Sequence, residues 1–248
     1  RATGLPSFSR LRIPLKAAEH IPGMLAARAL IRSADVAHWQ WVTYPPLDRH
    51  LLGRNPKQPR VITLHYPLPD PGDARALASQ RKFLSRFDAV ISHTEGGAER
   101  LRADVGLDPA TVHVIPHGPF DYLTELPDPE PLPDELAAVE GPVVLFFGLL
   151  RPYKGIDALL EAFGRLGETD AELWIAGMPR MPIEDLQELA ERAPGTVRFI
   201  PRFISDPEIP ALMRRADVLA LPYRDIEQSG VLYTGLAFGK PMILSDVG

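Results

Sequence analysis

Short apolar runs alternate along the chain with longer segments in which apolar residues recur at helical spacing. In the first half, residues 35–41, 60–65, 88–92 and 112–115 predict strands, and the distances between them suit a parallel sheet. Residues 74–87 place Leu77, Phe83, Leu84 and Phe87 near helical spacing, and 97–105 predict a shorter helix ended by Gly106. The pattern breaks after residue 121, where Pro127, Pro129, Pro131 and Pro133 interleave with Glu125, Asp128, Glu130, Asp134 and Glu135. Such a stretch predicts a linker at 126–141 between a first domain at 1–125 and a second at 142–248.

Beyond the linker the alternation restarts. Residues 143–147, 172–176, 197–200, 218–221 and 242–245 predict strands, separated by helices expected at 156–166, 183–192, 207–215 and 230–238. Connections this short suit right-handed βαβ crossovers. The expected fold is therefore α/β, with two Rossmann-like, doubly wound domains. In open α/β sheets ligands bind beyond the carboxyl ends of the strands, which directs attention to the loops after Leu64, Phe147, Ala176, Ile200 and Leu221.

Composition narrows the classes of function. With 45% hydrophobic and 24% charged residues, the 248-residue chain has the balance of a globular protein and not of a disordered one. Its net charge of -5 gives no field that would draw nucleic acid. Cysteine is absent, which removes disulfides and thiolate metal sites and is compatible with a cytoplasmic location. No apolar run approaches the ~20 residues of a membrane span, so a membrane could be touched peripherally but not crossed. The 27 prolines are scattered at element boundaries without a period. The chain opens at Arg1 without a methionine or a signal-peptide pattern and stops at Gly248 just after a strand-like run, so both ends are expected to be cut.

Two loops carry chemistry. Gly148-Leu149-Leu150-Arg151-Pro152-Tyr153-Lys154-Gly155 follows a strand and leads into a helix. Its guanidinium, its ammonium and the helix start together suit phosphate oxygens. A solvated surface turn is the competing account, because this is neither a Walker A nor a GxGxxG pattern. The second loop runs from Pro222 through Glu227 to Ser229 and Gly230 before an apolar helix. Ser229 suits an N-cap, and a small Ser-Gly pair lets a ligand approach the backbone N–H groups of Gly230 and Val231. Helix capping alone explains the same residues. His38, His93, His113 and His117 lie near strand ends without a spacing that selects a metal geometry, so no metal site is expected. Tyr44, Pro45, Pro46 and Asp48 read as a loop that could shape an acceptor side.

The segments "FFGLLRPYKGIDALLEAF", "ELWIAGMP", "VRFIPRFISDPEIPALMRRADVLALPY" and "EQSGVLYTGLAFGKPMILSDVG" follow in order. Together they resemble the donor domain of glycosyltransferase family 4. "ADVAHWQW", "VITLHYPLP", "FDAVISHTEGGAERL" and "VHVIPHGPFDYL" resemble the acceptor-side domain of the same family. The resemblance implies the GT-B architecture of two facing domains that close on their substrates. It implies a metal-independent, retaining transfer of a hexose from a UDP- or GDP-linked sugar to a glycan, lipid or small-molecule acceptor. No other cofactor is implied.

By this resemblance Gly148, Arg151, Lys154, Glu227, Ser229, Gly230, Val231 and Thr234 bind the donor, while His65 and Lys154 act on the reacting sugar and its leaving group. Lys154 matches the family's lysine. Leu149 stands where the family usually has arginine, which leaves Arg151 as a nearby substitute. Counting back from Gly239-Lys240-Pro241, the family's two glutamates fall at Ile226 and Thr234, so Glu227, one position away, is the expected sugar contact and Thr234 the expected ribose contact. Two competing functions remain: a nucleotide-sugar epimerase of the same architecture, and a catalytically degenerate nucleotide-sugar-binding module, suggested by Leu149, Ile226 and Thr234.

Overall fold

The computed structural model describes residues 12–42, 45–52, 58–65, 68–225 and 229–247. The chain forms two compact units, Arg1–Pro116 and His117–Gly248, each with its own hydrophobic core. Among the described residues no helix is long and apolar enough to cross a membrane.

In the first unit α1 (Arg12–Leu30), β1 (Ala37–Trp39), α2 (Pro45–Leu51), β2 (Arg60–Thr63), α3 (Ala74–Leu84), β3 (Ala89–Ser92), α4 (Glu95–Ala103) and β4 (Val112–Val114) follow in order. The strands form a parallel sheet in the simple order β1-β2-β3-β4. Two helices start on side-chain caps: Asp73 accepts from the Ala76 N–H and Thr94 from the Gly97 N–H. Leu77, Phe83 and Leu84 of α3 and Ala98 and Leu101 of α4 bury their apolar faces with Ile62, Val90 and Val112 of the sheet.

Residues 45–48, expected as a loop, instead lie in α2, where Asp48 is fully buried and pairs with His20 of α1. A carboxylate removed from water in this way needs that partner, so Asp48 serves helix packing. Tyr44 lies outside the described residues.

In the second unit α5 (Asp134–Ala137), β5 (Val143–Phe147), α6 (Ile156–Gly164), β6 (Glu172–Ala176), α7 (Glu184–Glu191), β7 (Thr196–Ile200), α8 (Ile209–Arg215), β8 (Val218–Leu221), α9 (Gly230–Ala237) and β9 (Met242–Leu244) follow. The expected linker at 126–141 belongs to this unit, and the division falls earlier, after Pro116. Leu126, Leu132, Leu136 and Val139, within and beside the run of prolines, pack on the core, and the Glu130 N–H is satisfied by the Pro207 carbonyl at 2.8 Å. Proline has no N–H to satisfy, so an irregular proline-rich strap can lie on a core with few unmet backbone donors.

All strand pairings in this sheet are parallel, in the order β7-β6-β5-β8-β9. From β5 the chain steps outward through β6 and β7, then returns to build β8 and β9 on the other side. This reversal makes the carboxyl ends of β5 and β8 a topological switch point, where the loops diverge and leave a crevice. β6 is buried along its whole length, and after Glu172, which pairs with Arg198, it reads as an apolar run, as expected with both faces covered.

The turns at these strand ends are drawn together by glycines. Gly177, just after β6, has φ +147°, and a Cβ on it would lie 1.8 Å from the Gly148 carbonyl oxygen. Gly177→Ala is therefore expected to destabilise the chain by roughly 2 kcal/mol or more, read as a lowered midpoint in urea unfolding; an unchanged midpoint would contradict the close approach.

Candidate functional site

At the switch point the two chemistry-bearing loops meet. Gly148 has φ +114°, and a Cβ placed on it would lie 3.0 Å from Val231 Cγ2 and 3.1 Å from Lys154 Nζ. Gly148 and Lys154 are thus immediate neighbours of the first turn of α9, although the two loops are far apart in sequence. The turn is pinned on both flanks. The Leu150 N–H donates to the Met178 carbonyl at 3.0 Å and the Arg180 N–H to Leu150 at 2.9 Å. Gly155, at φ +66°, packs so closely on the next loop that a Cβ would fall 2.0 Å from the Pro222 oxygen.

Lys154 is 6% exposed. Its ammonium donates to the Tyr223 hydroxyl at 3.2 Å and lies 4.8 Å from the Tyr223 ring centre and 5.9 Å from that of Phe146. These aromatic faces offset part of the lost hydration. Burial first, and then the like charge of exposed Arg151, lowers the Lys154 pKa from 10.5 to about 8. The nearby carboxylate of Asp157 is held by Arg224 at 2.7 Å. A buried cation beside a second cation suits an anionic ligand.

Ser229 occupies the N-cap position of α9, but its side chain makes no capping bond. It donates instead to the Tyr223 hydroxyl at 3.2 Å, so Tyr223 touches both loops. Burial raises the Tyr223 pKa to about 12, which keeps it a neutral phenol. Sequence pattern left Tyr223 unassigned; its place two residues beyond β8, at the switch point, was the available signal.

Gly230 is exposed and Val231 partly so, while Thr234 is buried and donates its hydroxyl to the Gly230 carbonyl at 3.1 Å. Thr234 therefore faces into the fold and satisfies its own helix instead of standing at the ligand-facing turn. Glu227 and Ile226 lie outside the described residues.

His65 belongs to the first unit, two residues beyond β2. Its Nε2–H donates to Gln40 Oε1 at 2.7 Å, because an amide oxygen can only accept. The Gln40 amide nitrogen then donates to His38 Nε2 at 3.2 Å, which also accepts from Thr63 Oγ1 at 2.8 Å. Trp41 stacks on His65 with ring centres 5.3 Å apart, and His93 tilts against its ring at 4.9 Å. His65 thus sits in an ordered network at the carboxyl edge of the first sheet. Among the described residues no cluster of three or more His, Asp or Glu side chains suits a metal ion.

Family models match both units: Glycosyltransferase Family 4 over residues 3–118 and Glycosyl transferases group 1 over residues 141–248. The chain belongs to glycosyltransferase family 4. It is 26% identical over 232 residues to GDP-mannose:glycolipid 4-beta-D-mannosyltransferase of Xanthomonas campestris, covering 87% of this chain and 62% of that protein. It is 30% identical over 197 residues to D-inositol 3-phosphate glycosyltransferase of Jonesia denitrificans, covering 72% of this chain and 46% of the relative. Among solved structures, Anabaena HepE in complex with UDP-glucose superposes with a TM-score of 0.69 at 19% identity, over 92% of this chain and 64% of HepE. The fold of this family 4 chain is accordingly GT-B, and the chain spans about half to two thirds of the length of these proteins.

The lowered Lys154 pKa has a consequence for stability. Below about 8 both folded and unfolded chains carry the proton, and the full cost of burying the charge is present. As pH rises from about 8 towards 10.5 the folded lysine loses its proton before the unfolded one, so stability increases, by about 3 kcal/mol at most. Lys154→Met should therefore be more stable than the parent at pH 7, and the difference should shrink by pH 10, as read from urea unfolding of both proteins; a less stable methionine variant at pH 7 would contradict this electrostatic account.

Proposed function

We propose that the second unit binds a nucleotide-diphospho-sugar, with its diphosphate against the 148–155 turn and the first turn of α9. The complete protein then transfers the hexose, with retention of anomeric configuration, to a glycan, lipid-linked or small-molecule hydroxyl. The observation that carries this reading is the convergence of Lys154 Nζ and Val231 on Gly148, at 3.1 and 3.0 Å from its ideal Cβ position. A diphosphate there would meet an ammonium, the Arg151 guanidinium and backbone N–H groups at once. The names of the relatives, which specify GDP-mannose and UDP-glucose, support a UDP- or GDP-linked donor.

Transfer breaks the bond between the anomeric carbon and the diphosphate, and negative charge grows on the departing oxygen. Lys154 and the α9 dipole are fixed before reaction, so they stabilise that charge without reorganising. Arg151 supplies a planar fork for phosphate oxygens, Gly148 keeps the approach open, and Ser229, Gly230 and Val231 border the anion. We assign Glu227 to the sugar hydroxyls and His65, from the first unit, to the reacting sugar. A lipid-linked acceptor would bring the protein into peripheral contact with a membrane. A binding module without turnover is the second reading, favoured by the buried Thr234, which leaves the expected ribose contact unfilled.

Incubation with UDP- and GDP-hexoses followed by product analysis separates these functions. A glycosylated acceptor with free nucleotide supports transfer, an isomerised nucleotide sugar supports epimerisation, and donor binding without product supports the binding module. Lys154→Ala is expected to lower turnover by about 10²-fold, and a near-parental rate would remove Lys154 from the mechanism. Proton NMR of the product reads the stereochemistry, and an inverted anomeric centre would overturn retention.

A further inference from the structure

From the geometry we infer that Tyr223 is a positioning residue of this site, its single hydroxyl tying the buried Lys154 ammonium to Ser229 at the start of α9. The oxygen accepts from Lys154 Nζ and from Ser229 Oγ, each at 3.2 Å. Both partners are buried, as is Tyr223 itself, which is 3% exposed. The phenol lies under the ammonium, with its ring centre 4.8 Å from Nζ. Oxygen and ring therefore hold the cation from one direction, next to Gly148, where the absence of a side chain leaves an approach.

The bridge also sets how the helix meets the turn. Ser229 would ordinarily accept from a first-turn N–H of α9, but it makes no such bond, and its hydroxyl proton goes to Tyr223. The first-turn donors are thereby left without this internal acceptor and beside the lysine. One side chain thus fixes both halves of an anion site, which a residue serving only the core would not do. The tie to a neutral phenol matters because a carboxylate in the same place would neutralise Lys154 and compete with the ligand. Tyr223 remains protonated well above neutral pH.

Of the charged and titratable groups around Lys154 among the described residues, Arg151 and Tyr153 lie on its own turn, Tyr223 and Arg224 come from the loop after β8, and Asp157 of α6 is paired with Arg224. Removing the Tyr223 hydroxyl takes away an acceptor that favours the charged lysine, whereas the ring of a phenylalanine keeps the packing. The change should therefore appear in the titration of Lys154 and not only in stability.

The inference rests on the nucleoside diphosphate reading of the site, and the test separates the two. In the ligand-free full chain with ¹³C-labelled lysine, Tyr223→Phe should move the Lys154 titration to lower pH. In calorimetric titrations with UDP and GDP, the same variant should weaken binding by about tenfold, the scale of one hydrogen bond to a charged group. Its affinity should also begin to fall at a lower pH than in the parent. Ser229→Ala cuts only the arm to α9, so it should weaken nucleotide binding without lowering the lysine titration, and it gives a second measure if the phenylalanine variant lacks a cooperative thermal transition. An unmoved Lys154 titration in Tyr223→Phe, or a loss of affinity equal at every pH, would overturn the positioning role. A parent chain that binds neither UDP nor GDP while its lysine responds as expected would overturn the nucleotide reading and leave the bridge standing.

Discussion

The constraint on which this site depends is the burial of the Lys154 ammonium without an opposing carboxylate among the described residues. Taking a charge out of water costs free energy, and the lowered pKa expresses that cost. The fold offsets part of it with the faces of Phe146 and Tyr223 and with one phenolic oxygen. What remains is a standing preference for an anion. A side chain at position 148 would be strained by the φ of +114° and would crowd the ammonium, with its Cβ 3.1 Å from Nζ.

Much of the second unit was legible in the sequence. β5, β6 and β8 fall at the expected limits, because strands buried in a parallel sheet appear as short, mainly apolar runs, and each of these ends at a glycine or proline. Lys154 and Ser229 were legible too, since each follows a strand and opens a helix. The division falls earlier than the expected linker because composition counts prolines and acids but does not register that Leu126, Leu132 and Leu136 in the same stretch face one core. In the first unit α1 escaped notice because Pro22 lies inside it and masks the helical pattern. The reversal of strand order that defines a doubly wound sheet is present in the second unit, whereas the described strands of the first run in simple succession.

Two residues show where one-dimensional spacing stops. Thr234 was placed by counting back from Gly239, and the count does locate it on α9. It does not fix which way that helix face turns, and Thr234 proves buried. Tyr223 shows the opposite failure. It was visible in the loop that follows a strand, yet its role depends on a lysine 69 positions away reaching its hydroxyl. That contact is a product of the switch point, where β5 and β8 become neighbours despite two intervening strands. Sequence pattern supplies the elements, but the register between their loops comes from the sheet.

The Arg224–Asp157 pair bears on the same constraint. Both groups are substantially exposed, at 53% and 44%, so their 2.7 Å contact adds little to stability. Its position matters more. Asp157 lies in the first turn of α6, close in sequence to Lys154. Arg224 holds it, while its own backbone N–H is fixed to the Tyr153 carbonyl at 2.7 Å. The hydrogen bond from Arg224 is the largest influence that lowers the Asp157 pKa, which keeps the carboxylate ionised and occupied. The chain as a whole is acidic, with net charge -5, yet the first acid along the chain after Lys154 is engaged by Arg224, so among the described residues the ammonium has a phenol and not a carboxylate as its hydrogen-bond partner.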